Sequence, residues 1–166
     1  MEAAEARVYE VLKKLDIKYK KTEHEAYFTV AQAEKGGFDL PGINVKNLIV
    51  RDKKTEEHYM VILEDFRRLD FRALGKITGW SSKMTFADDD KIFEYTGVHI
   101  GSCSVFGLIN DRDRRLTVVL EKLITSADPE DMINFHPNVN TATLSIKIKD
   151  MYRFLEWTGN RVIEEK

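Results

Sequence analysis

Apolar residues recur at helical spacing in several stretches of the chain. In the first stretch, 3–15, Ala6, Val8, Val11, Leu12 and Leu15 share one face, which predicts an amphipathic helix. Further helices are predicted where a capping or acidic residue begins the pattern and a glycine ends it. They run from Thr29 to the Gly36–Gly37 pair, around 70–77 before Gly79, from Asp88 to Gly97, and from Asp150 through Trp157 before Gly159.

Other stretches follow strand patterns. Residues 46–51 and 58–63 each contain a run of apolar residues and are separated by a charged turn. Residues 116–120 form a continuous apolar strand, and 141–148 alternates between faces. A short extended piece at 18–22 and a final strand at Val162–Ile163 complete the set. The mixed order of helices and strands predicts a mixed α+β or α/β fold, and without repeats or linkers we expect one domain over 1–166.

Composition narrows the class of protein. The 166 residues are 43% hydrophobic and 33% charged, which is typical of a soluble globular domain. No apolar run reaches the roughly 20 residues that span a bilayer, so no membrane partner is expected. The absence of a secretory signal pattern and the single cysteine, Cys103, favour a cytoplasmic location.

Charge limits the kind of nucleic acid that the chain can hold. With a net charge of −2 the protein lacks the overall basic character of proteins that grip a long duplex. A small footprint, such as the end of a tRNA, stays compatible with this balance.

The histidines His24, His58 and His99 lack metal-ligand spacing, and no glycine-rich phosphate loop occurs, so neither metal nor cofactor is expected.

Three segments carry polar groups between apolar stretches. They are 134–144 (NFHPNVNTATL), 42–48 (GINVKNL) and 101–111 (GSCSVFGLIND). Together, and in this order along the chain, they resemble motifs of the YbaK/ProX-type editing domains associated with prolyl-tRNA synthetase. The chain is thereby identified as a member of that family, over nearly its whole length.

The resemblance implies both a fold and an activity. Family members form a compact α/β domain around a strongly curved mixed sheet flanked by helices. The implied activity is that of a free-standing deacylase, which hydrolyses the ester of a mischarged tRNA, foremost alanyl-tRNA for proline. The implied partners are the acceptor end of that tRNA and prolyl-tRNA synthetase.

The resemblance also implies site residues. Lys46 matches the pocket lysine that contacts the terminal adenosine or its phosphate, and Asn47 is its neighbour in the pocket. Gly101 and Ser102 match the loop that supplies backbone contacts at the scissile carbonyl. The remaining residues expected to contact the substrate are Ser104, Phe106, His136 and Asn140.

The residues alone support some of these roles and leave others open. A lysine at the mouth of an apolar strand can reach a phosphate, although such a lysine is also compatible with an ordinary surface position. A Gly-Ser loop can aim backbone N–H groups at an oxyanion, or can simply connect two elements. His136 precedes Pro137, which favours an extended backbone, and we expect it to position and size-select the substrate. Of the nearby amides, Asn140 is the expected orienter of the loop.

The loop departs from the family pattern at two positions. Cys103 stands where the family has valine, and Val105 stands where it has proline. Because proline fixes φ and lacks a donor, Val105 leaves the loop freer. These departures bear on which amino acid is accepted more than on the type of reaction.

Two alternatives to an ester-hydrolysing editing enzyme remain at this stage. One is a thiol hydrolase in which Cys103 is the nucleophile and His136 the base. The other is a non-catalytic module that binds the tRNA acceptor end or docks on a synthetase.

Overall fold

A computed structural model of the protein describes residues 1–26 and 40–166. The helices are α1 (Ala3–Lys14), α2 (Phe71–Thr78), α3 (Asp89–Thr96), α4 (Lys122–Thr125) and α5 (Ile148–Thr158), with a 3-10 helix at Val105–Asn110. The strands are β1 (Lys20–Glu23), β2 (Ile43–Asp52), β3 (His58–Glu64), β4 (Met84–Phe86), β5 (Leu116–Leu120), β6 (Met132–Phe135), β7 (Ala142–Lys147) and β8 (Val162–Glu164).

Most helices predicted from the sequence are confirmed. α2, α3 and α5 end at Gly79, Gly97 and Gly159, each in the left-handed conformation that favours glycine. One start was wrong, because α5 begins at Ile148 and Asp150 lies in its first turn, 3.0 Å from the Arg153 guanidinium, rather than at its cap. The predicted helix from Thr29 lies outside the described residues.

The strands β2, β3, β5 and β8 are also confirmed. Four short elements, namely β4, β6, α4 and the 3-10 helix, were missed. β4 has three residues, β6 and α4 have four each, and the 3-10 helix has six. None of these is long enough to repeat a periodic pattern, so only their tertiary partners define them.

The strands form an open mixed sheet in the order β1-β7-β6-β2-β3-β5-β8, with β4 paired to β2. β2 pairs antiparallel with β3 and parallel with β6, while β5 is parallel to both β3 and β8. The expected mixed α+β fold, with helices against the sheet, is therefore confirmed.

Helices cover both faces of the sheet. On one face α1, α3 and α5 contribute Leu12, Ile92 and Phe154 to the larger core cluster. On the other face α2 packs Leu74 with Trp80 against alternate residues of β2 and β3. Each face of β2 therefore looks toward a different cluster.

The alternating strand β7 has both faces buried. Its polar side chains are satisfied internally: the Thr143 hydroxyl lies 2.8 Å from His24 Nε2, and the Ser145 hydroxyl donates to Asn134 Oδ1. Thr143 and Ser145 thus bind neighbouring elements instead of facing water.

Gly42 allows β2 to start against β6. Its φ is 81°, and a Cβ built there would lie 1.9 Å from the Met132 carbonyl oxygen. Glycine is required both for the left-handed backbone and for the close approach. The approach brings β6 alongside the first residues of β2.

We expect Gly42→Ala to lower the free energy of unfolding by at least about 3 kcal/mol, since it combines backbone strain with a clash. Gly79→Ala is the matched control: its φ is 74°, but nothing lies within 4 Å of the added Cβ. The control should cost only the strain, about 1–2 kcal/mol. Urea unfolding of both variants measures the difference, and equal losses would contradict the role of the close approach.

Candidate functional site

Strand β2 is paired continuously along one edge and only near its two ends along the other. β3 follows the first edge from residue 45 to residue 51. On the other edge β6 pairs with residues 43–44 and β4 with residues 50–52. Within the described chain, residues 45–48 therefore face no strand on this side. We call this gap in the sheet, residues 45–48, the β2 notch.

The backbone of Asn47 points into the notch. On the same edge the Ile49 carbonyl accepts a hydrogen bond of 2.9 Å from the Ala87 N–H. Backbone groups alternate between the two edges of a strand, so the N–H and C=O of Asn47 face the same way as those of Ile49. Asn47 thus offers the notch a backbone donor and a backbone acceptor that pair with no strand of the described chain.

The side chains of Lys46 and Asn47 point to opposite faces of β2. Asn47 shares its face with Ile49 of the larger core cluster, while Lys46 shares its face with Leu48 and Val50 of the smaller one. The Asn47 Oδ1 atom is buried, and no donor reaches it from the described residues. The matching family pair therefore occupies two sides of the same short piece of strand.

Lys46 is half-buried and influences a carboxylate in the loop after β3. Burial, and next the neighbouring Glu64, raise the pKa of Asp65, whereas Lys46 lowers it and offsets part of that rise. The lysine is thus the local positive charge at the end of the notch where β2 begins.

His136 lies where β6 leaves β2. The two strands run parallel, and β6 ends at Phe135, directly after its paired residues, so His136 continues along the notch. Its Nδ1 donates to the Ala142 carbonyl at 2.9 Å, which leaves Nε2 as an acceptor in the neutral ring. Burial lowers the pKa of His136; the Ala142 bond opposes this, and His24, with its ring centroid 5.9 Å away, adds to it.

Two hydrogen bonds join the His136 loop to the segment after Gly101. The Ser104 hydroxyl donates to the His136 carbonyl at 2.6 Å, and the Asn138 amide donates to the Phe106 carbonyl at 3.4 Å. The family motifs around 101–107 and 134–144, far apart in sequence, thereby form one wall beside the notch.

Ser104 and Phe106 are buried beneath this wall and support it. Both residues are 0% exposed. The Ser104 hydroxyl also accepts from the Phe106 N–H, and the Phe106 ring packs edge-on against Phe135 and Phe154. Both side chains therefore support the loop, and the substrate contact expected of them from the sequence stays a prediction.

Gly101 and Ser102 form the exposed turn of the wall. The Ser102 N–H donates to the His99 carbonyl at 3.2 Å, and Gly101 has a φ of 96°. The Asp89 carboxylate fixes this turn by accepting from the Ile100 N–H and from His99 Nδ1, both at 2.8 Å. The sequence predicts that the acidic residues 88–90 cap α3. Asp89 instead restrains the Gly101 turn, and Asp88 makes no side-chain capping bond.

Cys103 packs against the larger core cluster as a half-buried residue. Burial raises the pKa of its thiol to about 12, with the Thr96 hydroxyl opposing the rise. The nucleophilic form of a cysteine is its thiolate. At neutral pH this thiol is protonated, which disfavours the thiol hydrolase.

Asn138, rather than Asn140, orients the His136 loop. Asn138 is 3% exposed, has a φ of 61° and makes the bond to Phe106. Asn140 is half-buried and makes no side-chain hydrogen bond within the described chain. The choice of Asn140 as orienter was wrong; the useful signal was that asparagine tolerates the left-handed region.

Asn134 fixes the end of the notch. Its amide donates to the Pro41 carbonyl and to Asn44 Oδ1, each at 2.9 Å, and its Oδ1 accepts from Ser145. One buried side chain thus ties β6 to the start of β2 and to β7. Sequence analysis placed Asn134 in the motif but did not assign it this role.

Two features are absent from the residues that the structure describes. No group of three or more His, Cys, Asp or Glu side chains is arranged to hold a metal ion. No helix there combines the length and apolar character needed to cross a membrane.

Sequence comparison places this geometry in context. A model of the aminoacyl-tRNA editing domain matches residues 24–154. The chain is 31% identical over 160 residues to the prolyl-tRNA editing protein ProX of Acetoanaerobium sticklandii, with 96% of this chain and 94% of that protein covered. It is 32% identical over 149 residues to prolyl-tRNA synthetase associated domain-containing protein 1 of Danio rerio, with 90% and 79% covered.

Structural comparison agrees at the level of the fold. The crystal structure of a candidate trans-editing enzyme for prolyl-tRNA synthetase matches with a TM-score of 0.69 at 21% identity, covering 100% of this chain and 99% of that one. The family match spans most of the chain, from the end of β1 to α5. The protein therefore belongs to the family of aminoacyl-tRNA editing domains, enzymes that hydrolyse the ester of a mischarged tRNA.

Proposed function

We propose that the protein acts in trans on alanyl-tRNA charged on the tRNA for proline, and that it hydrolyses the aminoacyl ester in the cytoplasm. The observation that carries this proposal is the β2 notch, where the backbone of Asn47 pairs with no strand of the described chain and where β6 ends just before His136. The names of the relatives, which refer to prolyl-tRNA editing and to prolyl-tRNA synthetase, support proline as the tRNA identity. They also make prolyl-tRNA synthetase the expected partner protein.

Hydrolysis of this ester needs few catalytic groups from the protein. Water attacks the ester carbonyl, the bond to the ribose oxygen breaks, and the products are the free amino acid and a tRNA with a free terminal hydroxyl. Because the ester is already activated, the site has only to position the water and stabilise the oxyanion. The ribose hydroxyl next to the ester can assist the water, as the family resemblance implies.

Each site residue then has a defined task. Lys46 supplies positive charge to the terminal adenosine or its phosphate, and the Asn47 N–H offers a donor in the notch. The exposed turn at Gly101 and Ser102 faces the carbonyl oxygen, with the Gly101 N–H as its donor because the Ser102 N–H already donates to the His99 carbonyl. His136 limits the space for the aminoacyl side chain, and Asn140 contacts the substrate from the same loop.

Rejection of proline follows from size. A synthetase pocket built for proline cannot exclude the smaller alanine, so a second site that admits only small groups is needed to correct the error. The half-buried His136 ring, held by its bond to the Ala142 carbonyl on a backbone that Ser104 anchors, acts as that limit.

A non-catalytic binding module is the remaining alternative. It would use the same notch to hold the acceptor end without hydrolysing the ester. Deacylation of purified mischarged tRNA by the wild-type protein separates the two, because a module would leave the ester intact.

We expect Lys46→Ala to lower kcat/KM for alanyl-tRNA by roughly ten- to hundredfold, as the loss of one charge-assisted hydrogen bond is worth about 1.5–3 kcal/mol. Lys20→Ala, which removes an exposed lysine on strand β1, is the control and should retain full activity. Rates are measured on alanyl-tRNA with the fold checked by circular dichroism. Full activity in Lys46→Ala would remove this lysine from the site.

Cys103→Val should keep its deacylase activity within about twofold, because a protonated, packed thiol takes no part in the chemistry. Valine is also the residue that the family pattern has at this position. The measurement is single-turnover hydrolysis of alanyl-tRNA by the two proteins. An inactive but folded Cys103→Val would instead favour the thiol hydrolase.

The wild-type protein should cleave alanyl-tRNA and spare prolyl-tRNA, and His136→Ala should relax this discrimination by about 1–3 kcal/mol, roughly ten- to two-hundredfold. The test compares alanyl-, seryl-, cysteinyl- and prolyl-tRNA side by side with both proteins. If wild type cleaves prolyl-tRNA as fast as alanyl-tRNA, the proposed selectivity is refuted. A preference for seryl- or cysteinyl-tRNA would change the substrate and keep the mechanism.

A further inference from the structure

The outer surface of α2 and the loop before it carries unneutralised positive charge. Arg68, Arg72 and Lys76 are exposed, and none has a carboxylate within 4 Å in the described chain. The only acid between residues 66 and 82 is Asp70, whose carboxylate caps α2 by accepting from the Ala73 N–H at 2.9 Å. In a chain with a net charge of −2, this surface is a local exception.

A preformed apolar groove of about 630 Å³ runs beside these cations. Its apolar lining comes from Phe71, Gly75, Trp80 and Met84, and its polar lining from Arg72, Lys76, Ser81 and Ser82. The Trp80 indole is fixed because its Nε1 donates to the Phe71 carbonyl at 2.9 Å. Gly75 lets the ring lie against the helix, since a Cβ there would come within 3.0 Å of Nε1. The groove therefore has a rigid floor.

Strand β4 connects this groove to the β2 notch. Met84 lines the groove, and three residues later Ala87 donates to Ile49 at the end of the notch. Three residues of extended chain span about 10 Å. In addition, Lys46 shares its face of β2 with Leu48, which packs against the same cluster as Leu74. A molecule held along α2 can thus reach the notch with its end.

From the charge, the groove and this proximity we infer that α2 binds the sugar–phosphate backbone of the tRNA acceptor stem. This inference rests on the proposed function and adds the surface that receives the body of the substrate. Guanidinium and ammonium groups without internal partners pair with phosphates, and ribose with its 2′-hydroxyl fits an apolar floor with serines in the polar lining. Such contacts position the RNA without reading its sequence.

The test removes the three cations together in Arg68→Ala/Arg72→Ala/Lys76→Ala. We expect kcat/KM for full-length alanyl-tRNA to fall about ten- to hundredfold, and hydrolysis of the alanyl ester of adenosine, which lacks a stem, to stay unchanged. The matched control, Lys13→Ala/Lys18→Ala/Lys20→Ala, removes the same charge from exposed residues of α1, β1 and the link between them. It should change neither rate.

Salt dependence supplies a second measurement that a structural role would not move. Each phosphate contact contributes about 0.9 to the slope of log affinity against log salt for a duplex, so the triple variant should lose about two to three units of slope. Arg68→Lys/Arg72→Lys, which keeps the charge, should retain most of it. Binding is measured by fluorescence anisotropy with an uncharged acceptor-stem hairpin, so it does not depend on hydrolysis.

The outcomes separate this inference from the proposed function. If wild type binds the hairpin through α2 but hydrolyses neither substrate, the function fails and the RNA surface stands. Equal losses in the triple variant and its control would overturn the RNA surface, because general attraction would then explain both. Loss of activity on the adenosine ester would also overturn it, since α2 would then be acting on the notch itself.

Discussion

The arrangement of this domain depends on how far β6 stays bonded to β2. Gly42 admits the close approach, and Asn134 secures it with hydrogen bonds to Pro41 and Asn44. The two strands then part after two paired residues. Had the ladder continued, the backbone groups of Asn47 would be used within the sheet and no notch would exist.

The parting of the strands also explains why two distant motifs act together. The chain that leaves β6 must satisfy its own polar groups, and it does so through Ser104, Asn138 and Ala142. The bond to Ala142 sets the tautomer and orientation of the His136 ring, and the bonds from Ser104 and Asn138 anchor its loop. The site is therefore organised by hydrogen bonds between loops, with burial keeping both the imidazole and the Cys103 thiol uncharged.

Sequence reasoning predicted the elements that repeat a pattern and the residues that resemble a motif. It found β2, β3, α2 and α3 because each is long enough to show its period, and because glycine ends both helices. It could not tell that Ser104 and Phe106 are turned inward, since a motif records neighbours along the chain and not the direction of a side chain. It also missed Asp89 as a restraint on the Gly101 turn, because their contact joins a helix to a loop eleven residues away.

The basic surface of α2 was not predicted from the sequence, for a related reason. Its cations are spread over nine residues among apolar ones, so no compact basic run marks them in the sequence. Only the helix brings Arg72 and Lys76 to the same side.

The buried Asn47 Oδ1 sets stability against activity at one position. No donor from residues 1–26 or 40–166 reaches this atom, and a buried acceptor without a donor costs about 1–3 kcal/mol of folding free energy. A ligand that donates to it would recover that energy, which couples binding to folding. Evolution toward a more heat-resistant domain would favour an apolar residue here, and editing would oppose it. If the proposed function holds, the amide at position 47 is a residue at which stability is lost for the sake of the site.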